Sequence, residues 1–290
     1  MINNTNQFSD IKNSNLDLSV DPKHDFYSYV NNNWMKDNPI PADRSRYGNF
    51  DKLSERNEIQ LRKILEEAAN EKYKTKSKLK SQIGNFYFSG MNTSRIEKLG
   101  IEALNEKINR INKLTNKSEL ANILGYLHKF SISPVFYFYG SPDPGNSEIN
   151  IAHLSQGGLG LSDRDYYLND DPYSKELKTE YSKHIKQMFI LAGFSDKIAI
   201  QYSSNIIRIE TRLAACSMTR LDKRDPHKTY NKMSFSELNK ISPEFDWITY
   251  IKEIGLKNPG EINVCQPDFF KIFSMMITEE DIFAWKEYLL

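Results

Sequence analysis

Apolar residues spaced for one face of a helix, set behind short polar caps, recur along most of this chain and restrict it to a largely helical fold. Leu53, Leu61, Ile64, Leu65 and Ala68 keep that spacing among charged residues from Asp51 onward. Ser77 stands before Leu79, Ile83, Phe86 and Tyr87, Thr93 before Ile96, Leu99, Leu104, Ile108 and Ile111, and Ser118 before Leu120, Ile123, Leu124 and Leu127. Each hydroxyl sits where it can accept from an otherwise unpaired N–H of a first helical turn, and short helices in succession favour antiparallel packing. Ser174 to Ala192 and Ser195 to Cys216 read as two longer helices parted by Gly193, a residue suited to a helix C-terminus. Ser234 with Glu237 has capping-box spacing, Asp246 to Ile254 predicts a short helix, and Thr278 with Asp281 starts a last one.

The helical pattern is interrupted in two places. Pro39 and Pro41, after the aromatic cluster Phe26, Tyr27, Tyr29 and Trp34, forbid a continuous helix and predict an extended passage. Val135 to Tyr139 is aromatic and β-branched; the turn-rich GSPDPGNS follows it, and then Glu148 to Leu154, with Ile149 and Ile151 on one face. That order predicts one small β-hairpin within a mainly α fold. The glycines of SQGGLGLSDRDYYL predict a shaped loop leading out of the hairpin. Residues 1–22 have few large apolar side chains and no sustained period, so they are expected to form a flexible tail closed by Pro22. Residues 23–290 contain neither a repeat nor a low-complexity linker, and are read as one domain.

Charge and cysteine usage narrow the function classes. The 39 basic and 38 acidic residues leave a net charge of +1, too small a field to gather nucleic acid or an anionic membrane. No apolar run approaches the roughly 20 residues of a membrane helix, and the Asn-rich start has no secretory pattern. Two isolated cysteines, Cys216 and Cys265, give no disulfide framework and no Cys-x-x-Cys pair, which suits a reducing compartment. The expected location is cytoplasmic or otherwise intracellular.

Catalytic chemistry finds little support in the residues. A His-Glu-x-x-His site needs two histidines four apart so that successive turns present both rings to one metal. His24, His128, His153, His184 and His227 offer no such pair, so no metal ligand is assigned. Cys216, His227 and Asp225 would make a nucleophilic set if they met, but Cys216 ends an apolar helical face and reads better as a small buried hydrophobe. Neither a Gly-x-Ser-x-Gly elbow nor a phosphate loop is present, and Gly157, Gly158 and Gly160 lack dinucleotide-loop spacing. Asp163, Arg164 and Asp165 suit a loop that satisfies its own backbone, and the Lys-rich segment 72–80 suits a solvated surface. No catalytic residue and no cofactor-binding residue is assigned.

Several blocks taken in order are more specific. DFYSYVNNNW, NPIPAD, SRYGNFDKL and ERNE resemble the start of the neprilysin and endothelin-converting-enzyme family of zinc metallopeptidases. QGGLGLSDRDYYL, TRLDKRDPHKTYNKM, VCQPDFFK and EEDIFAWKEYLL resemble later landmarks of that family's N-terminal half. The resemblance runs over roughly residues 24 to 290 and implies a mainly α-helical lid that closes over a zinc domain to enclose a peptide chamber. It implies zinc for the whole family, yet the family's His-Glu-x-x-His helix, third zinc ligand and Asn-Ala substrate strand have no counterpart in this sequence.

By position in SRYGNFDKLS, Arg46 and Phe50 match family residues that line a substrate side-chain pocket. A guanidinium can grip a peptide carboxylate bidentately, and an aromatic ring supplies an apolar wall. A second basic residue found in some relatives is Ser54 here, and a cysteine of secreted animal relatives is missing from YVNNNW. The resemblance implies an N-terminal fragment or split half of a zinc metalloendopeptidase, not expected to hydrolyse peptides alone, whose partners are peptides and a separate chain carrying the zinc domain. The alternative is a non-catalytic peptide-binding or interaction module derived from that family.

Overall fold

The computed structural model describes residues 16–70, 77–257 and 259–290. The fold is mainly helical, as the spacing predicts, and divides into two compact units, residues 1–98 and 99–290.

The first unit holds α1 (Phe26–Asp37), α2 (Asn49–Ala69), α3 (Lys78–Met91) and α4 (Thr93–Leu99), the last of which ends at the division. Asp25 caps α1 by accepting from the Ser28 N–H at 2.9 Å, and Ser77 caps α3, its hydroxyl accepting from Lys80 N–H at 3.4 Å. Asp17, in the segment expected to be a tail, is buried against α1, where its carboxylate accepts from the Asn32 amide at 3.0 Å. The 72–80 expectation falls partly outside the described residues; only 77–80 are seen, as the start of α3.

Helices α2 and α3 meet where Ala68 faces Gly84, both buried. A Cβ on Gly84 would stand 2.0 Å from the Ala68 carbonyl oxygen, so the helices approach closely only because that atom is absent. Little else on them is covered. Leu61 and Ile64 of α2 are each 58% exposed and Phe86 of α3 is 83% exposed, so much of the apolar stripes read from the sequence is uncovered, although Ala68 is buried and Leu65 half-buried.

The second unit begins with α5 (Asn105–Asn112) and α6 (Leu120–Lys129), followed by β1 (Phe136–Asp143) and β2 (Asn146–Gln156). Then come α7 (Asp165–Leu168), α8 (Pro172–Leu191), α9 (Asp196–Cys216), α10 (Pro226–Thr229), β3 (Lys232–Met233), α11 (Phe235–Ile241) and α12 (Trp247–Ile254). β4 (Ile262–Val264), α13 (Pro267–Glu279) and α14 (Ile282–Leu289) complete it.

The helix expected from Thr93 to Ile111 is broken at Gly100, whose φ of +50° cannot continue an α-helix, into α4, a 3-10 turn (Gly100–Leu104) and α5. Asn116, not Ser118, caps the turn before α6, its side chain accepting from the Ser118 N–H at 3.0 Å. Thr278 lies inside α13, and Asp281 alone caps α14 by accepting from the Phe283 N–H at 2.8 Å.

The expected hairpin is present, with Phe136 opposite Gln156 and Tyr139 opposite His153. It is half of a larger sheet in the order β1-β2-β4-β3, in which β4 runs parallel to β2 and β3 antiparallel to β4. Phe136, fully buried, sits 5.4 to 6.0 Å in ring centroid from Phe245, Trp247, Tyr250, Phe270 and Phe273. This aromatic cluster joins β1 to α12 and α13, and each such ring contributes roughly 1.5–3 kcal/mol of apolar burial. A smaller cluster of Ile185, Phe189, Ala199 and Ile206 seals α8 against α9.

Candidate functional site

The segment from Arg44 to Glu55 joins the proline passage to α2, and most of its polar side chains are held. Arg44 pairs with Glu55 at 3.1 Å, and the Tyr47 hydroxyl donates to the other Glu55 oxygen at 2.6 Å. That bond to a carboxylate raises the Tyr47 pKa above the ordinary phenol range. The Tyr47 ring stacks on Trp34 of α1 at 6.1 Å, and the Asp51 carboxylate accepts from the Gly48 N–H at 2.9 Å, closing the first turn of α2.

Between these fixed points stand Arg46 and Phe50. Arg46 is exposed and its guanidinium makes no ion pair or hydrogen bond with any described residue. Phe50, in the first turn of α2, is 88% exposed, more than any other large apolar side chain described. An aromatic ring left in water and a cation left unpaired thus stand in one short segment, on backbone that is itself clamped. Ser54, one turn further on, lies 3.4 Å from Glu58 and adds no positive charge.

The candidates for covalent or metal chemistry are dispersed. Among the described residues no group of three His, Cys, Asp or Glu side chains is placed to hold a metal ion. His24 lies 3.1 Å from Asp21, His128 lies 2.5 Å from the Tyr250 hydroxyl, and His153 lies 3.1 Å from Asn263. These residues do not fit the zinc that the resemblance implies. The Cys216 thiol contacts the Leu213 carbonyl at 3.2 Å, and burial pushes its pKa up to about 11, away from a reactive thiolate. No described helix is long and apolar enough to cross a membrane.

In the glycine loop, Asp163 pairs with Arg220 at 2.9 Å and accepts from the Asp165 N–H at 3.0 Å, while Arg164 donates to the Ala214 carbonyl at 3.1 Å. A Cβ on Gly160 would fall 1.7 Å from the Tyr181 hydroxyl, so the loop lies directly on that tyrosine. Tyr181 and Tyr167 both donate to Glu210 of α9, at 3.0 and 2.6 Å. Glu210 is 4% exposed, and burial raises its pKa. No chemical motif or spacing in the sequence marks Glu210, nor Arg44, Tyr47 and Glu55. The one signal for Glu210 is an acid within the apolar run Ile206, Ile207, Ile209 and Leu213.

The family model described as peptidase family M13 matches residues 22–290. Endothelin-converting enzyme 1 of Homo sapiens is 32% identical over 290 residues, which take in 96% of this chain and 37% of that protein. Neprilysin-3 of Drosophila melanogaster is 29% identical over 296 residues, 95% of this chain and 37% of that one. Among solved structures, the zinc metalloprotease Zmp1 of Mycobacterium tuberculosis in complex with inhibitor aligns with a TM-score of 0.87 at 28% identity, across 96% of this chain and 42% of its own. The chain therefore spans well under half the length of the proteins it matches.

Proposed function

Because the chain belongs to peptidase family M13, we propose that residues 23–290 form the lid and one wall of a peptide-binding chamber, with Arg46 and Phe50 as substrate contacts, and that the chain does not hydrolyse peptides alone. The zinc and the groups that activate water are supplied by a separate catalytic domain. The observation that carries this reading is the contrast within one short segment: Arg44, Tyr47 and Asp51 are held by protein partners, while Arg46 and Phe50 are presented without any.

Arg46 would pair with the carboxylate of a peptide and Phe50 would pack on a neighbouring apolar side chain. With Ser54 in place of a second cation, Arg46 carries that charge recognition alone. The uncovered apolar positions of α2, Leu61 and Ile64 among them, support docking by a catalytic domain. The free thiols Cys216 and Cys265 support an intracellular place of work.

Fluorescence anisotropy with labelled peptides tests the reading. A peptide with a free C-terminal carboxylate should bind more tightly than its amide, and Arg46→Ala should remove the difference. Phe50→Ala should weaken both peptides equally. Stoichiometric zinc uptake with cleavage of a quenched peptide by the purified chain would refute the proposal. Peptide binding that persists without any enhancement of cleavage on adding an M13 catalytic domain would favour a binding module instead.

A further inference from the structure

A cleft of about 520 Å³ opens in the second unit between α8, α9 and α14, and its chemistry is uneven. Its walls are apolar, with Ile108, Met188 and Phe194 among them, together with the rings of Tyr181 and Tyr288. Two lining residues are ionisable besides the tyrosines: Glu210, the buried carboxylate held by Tyr167 and Tyr181, and His184, which is exposed at the rim and makes no ion pair with Glu210. Among the described residues no lysine, arginine or histidine lies within ion-pair distance of Glu210, although it is 4% exposed. Of the other buried glutamates, Glu280 is gripped by two arginines, and Glu287, lying off the cleft, accepts from the amides of Gln201 and Asn205.

A carboxylate withdrawn from water is normally matched by a cation or by a full set of donors, because its desolvation is costly. Two tyrosine hydroxyls and the Gly160 backbone N–H satisfy part of that need and supply no positive charge. Burial raises the Tyr288 pKa and the charge on nearby Glu210 raises it further, and both residues line the cleft. The faces of such rings attract cations as well, most strongly where water is excluded. The volume lies within the range of small-molecule sites.

We propose that this cleft binds a small organic ammonium, a primary amine carried on an apolar alkyl or aryl tail, with its head paired to Glu210 between Tyr181 and Tyr288 and its tail along Met188 and Phe194. A carboxylate or phosphate head would be repelled by Glu210. A neutral hydroxyl would leave the glutamate's charge without a counterpart. The proposal uses neither Arg46 nor Phe50, so it stands or falls separately from the peptide-binding reading.

The test is isothermal titration of the intact chain at pH 7 with octylamine, 1-octanol and octanoate, which share one tail and differ in head charge, each below its aggregation concentration. Octylammonium should bind saturably at one site and at least ten-fold more tightly than octanol, with octanoate weakest. Glu210→Gln should bring octylammonium down to the affinity of octanol. Met188→Trp, a change on the partly exposed wall that leaves Glu210 and its tyrosines in place, should weaken all three tails together. Equal affinity for octylammonium and octanol, an ammonium preference that survives Glu210→Gln, or failure of Met188→Trp to affect binding would each overturn the assignment.

Discussion

Gly84 lies so close to Ala68 that a Cβ on the glycine would stand 2.0 Å from the Ala68 carbonyl oxygen. The contact joins α2 to α3, and few other buried positions hold the two helices together. Gly84→Ala should therefore push them apart and destabilise the first unit by about 1–3 kcal/mol, the usual cost of overpacking. Gly90→Ala, on the same helix with nothing within 4 Å of its Cβ position, should be neutral or stabilising through helix propensity. Hydrogen exchange along α2 and α3 measures both; equal protection in the two variants would contradict the contact's role.

His128 is half-buried beside Tyr250, and desolvation lowers its pKa from 6.5 to about 4. The folded state holds the ring neutral, whereas the unfolded chain takes up a proton as the pH falls below 6.5. Stability from this group is thus full above pH 6.5 and is lost progressively down to about pH 4, amounting to roughly 3 kcal/mol at the lower limit. His128→Gln keeps an acceptor for the Tyr250 hydroxyl and cannot titrate there. Urea denaturation at pH 7, 5.5 and 4.5 should show a shallower acid loss in the variant, and identical slopes would rule the histidine out as the cause.

Glu280, at the junction of α13 and α14, is 3% exposed and accepts from both Arg208 and Arg212 of α9. Glu280→Ala removes charge-assisted bonds that tie α9 to the last two helices, and should cost about 2 kcal/mol or somewhat more. The loss should be read in chemical denaturation and should far exceed that of Lys175→Ala, which breaks only a solvent-exposed surface pair with Asp170.

Arg46→Ala and Phe50→Ala should leave the melting temperature of the chain unchanged, because neither side chain is packed or bonded within the protein. Glu55→Ala should behave differently. It releases Arg44 and Tyr47 together, loosening the backbone that presents Arg46, and should weaken peptide binding without touching the peptide. A binding loss in Arg46→Ala accompanied by unfolding would show that Arg46 has a structural role instead.

What the sequence revealed depended on how local the controlling interaction is. The caps at Ser77, Ser195, Ser234 and Asp246 were legible because each bond spans three residues. β3 and β4, two and three residues long, carry no period of their own and exist only because β2 offers an edge to β4. Apolar spacing showed which face of α2 is hydrophobic but is silent on what covers it, and its own unit leaves much of that face exposed. Arg46 and Phe50 came from resemblance; the bonds that isolate them, through Glu55, came only with the structure. Glu210 escaped notice because its meaning depends on tyrosines 43 and 29 residues away in the chain.

The pairing of β2 with β4 also sets a timetable for synthesis. His153 and its neighbour across the sheet, Asn263, are 110 residues apart in the chain. At a translation rate of roughly 5–20 residues per second, the hairpin leaves the ribosome about 5–20 seconds before the strand that completes its inner edge. For that interval the N–H and C=O groups of residues 152–154 face outward as an open template for any other extended chain, so the sheet is most vulnerable to aggregation before the protein is finished.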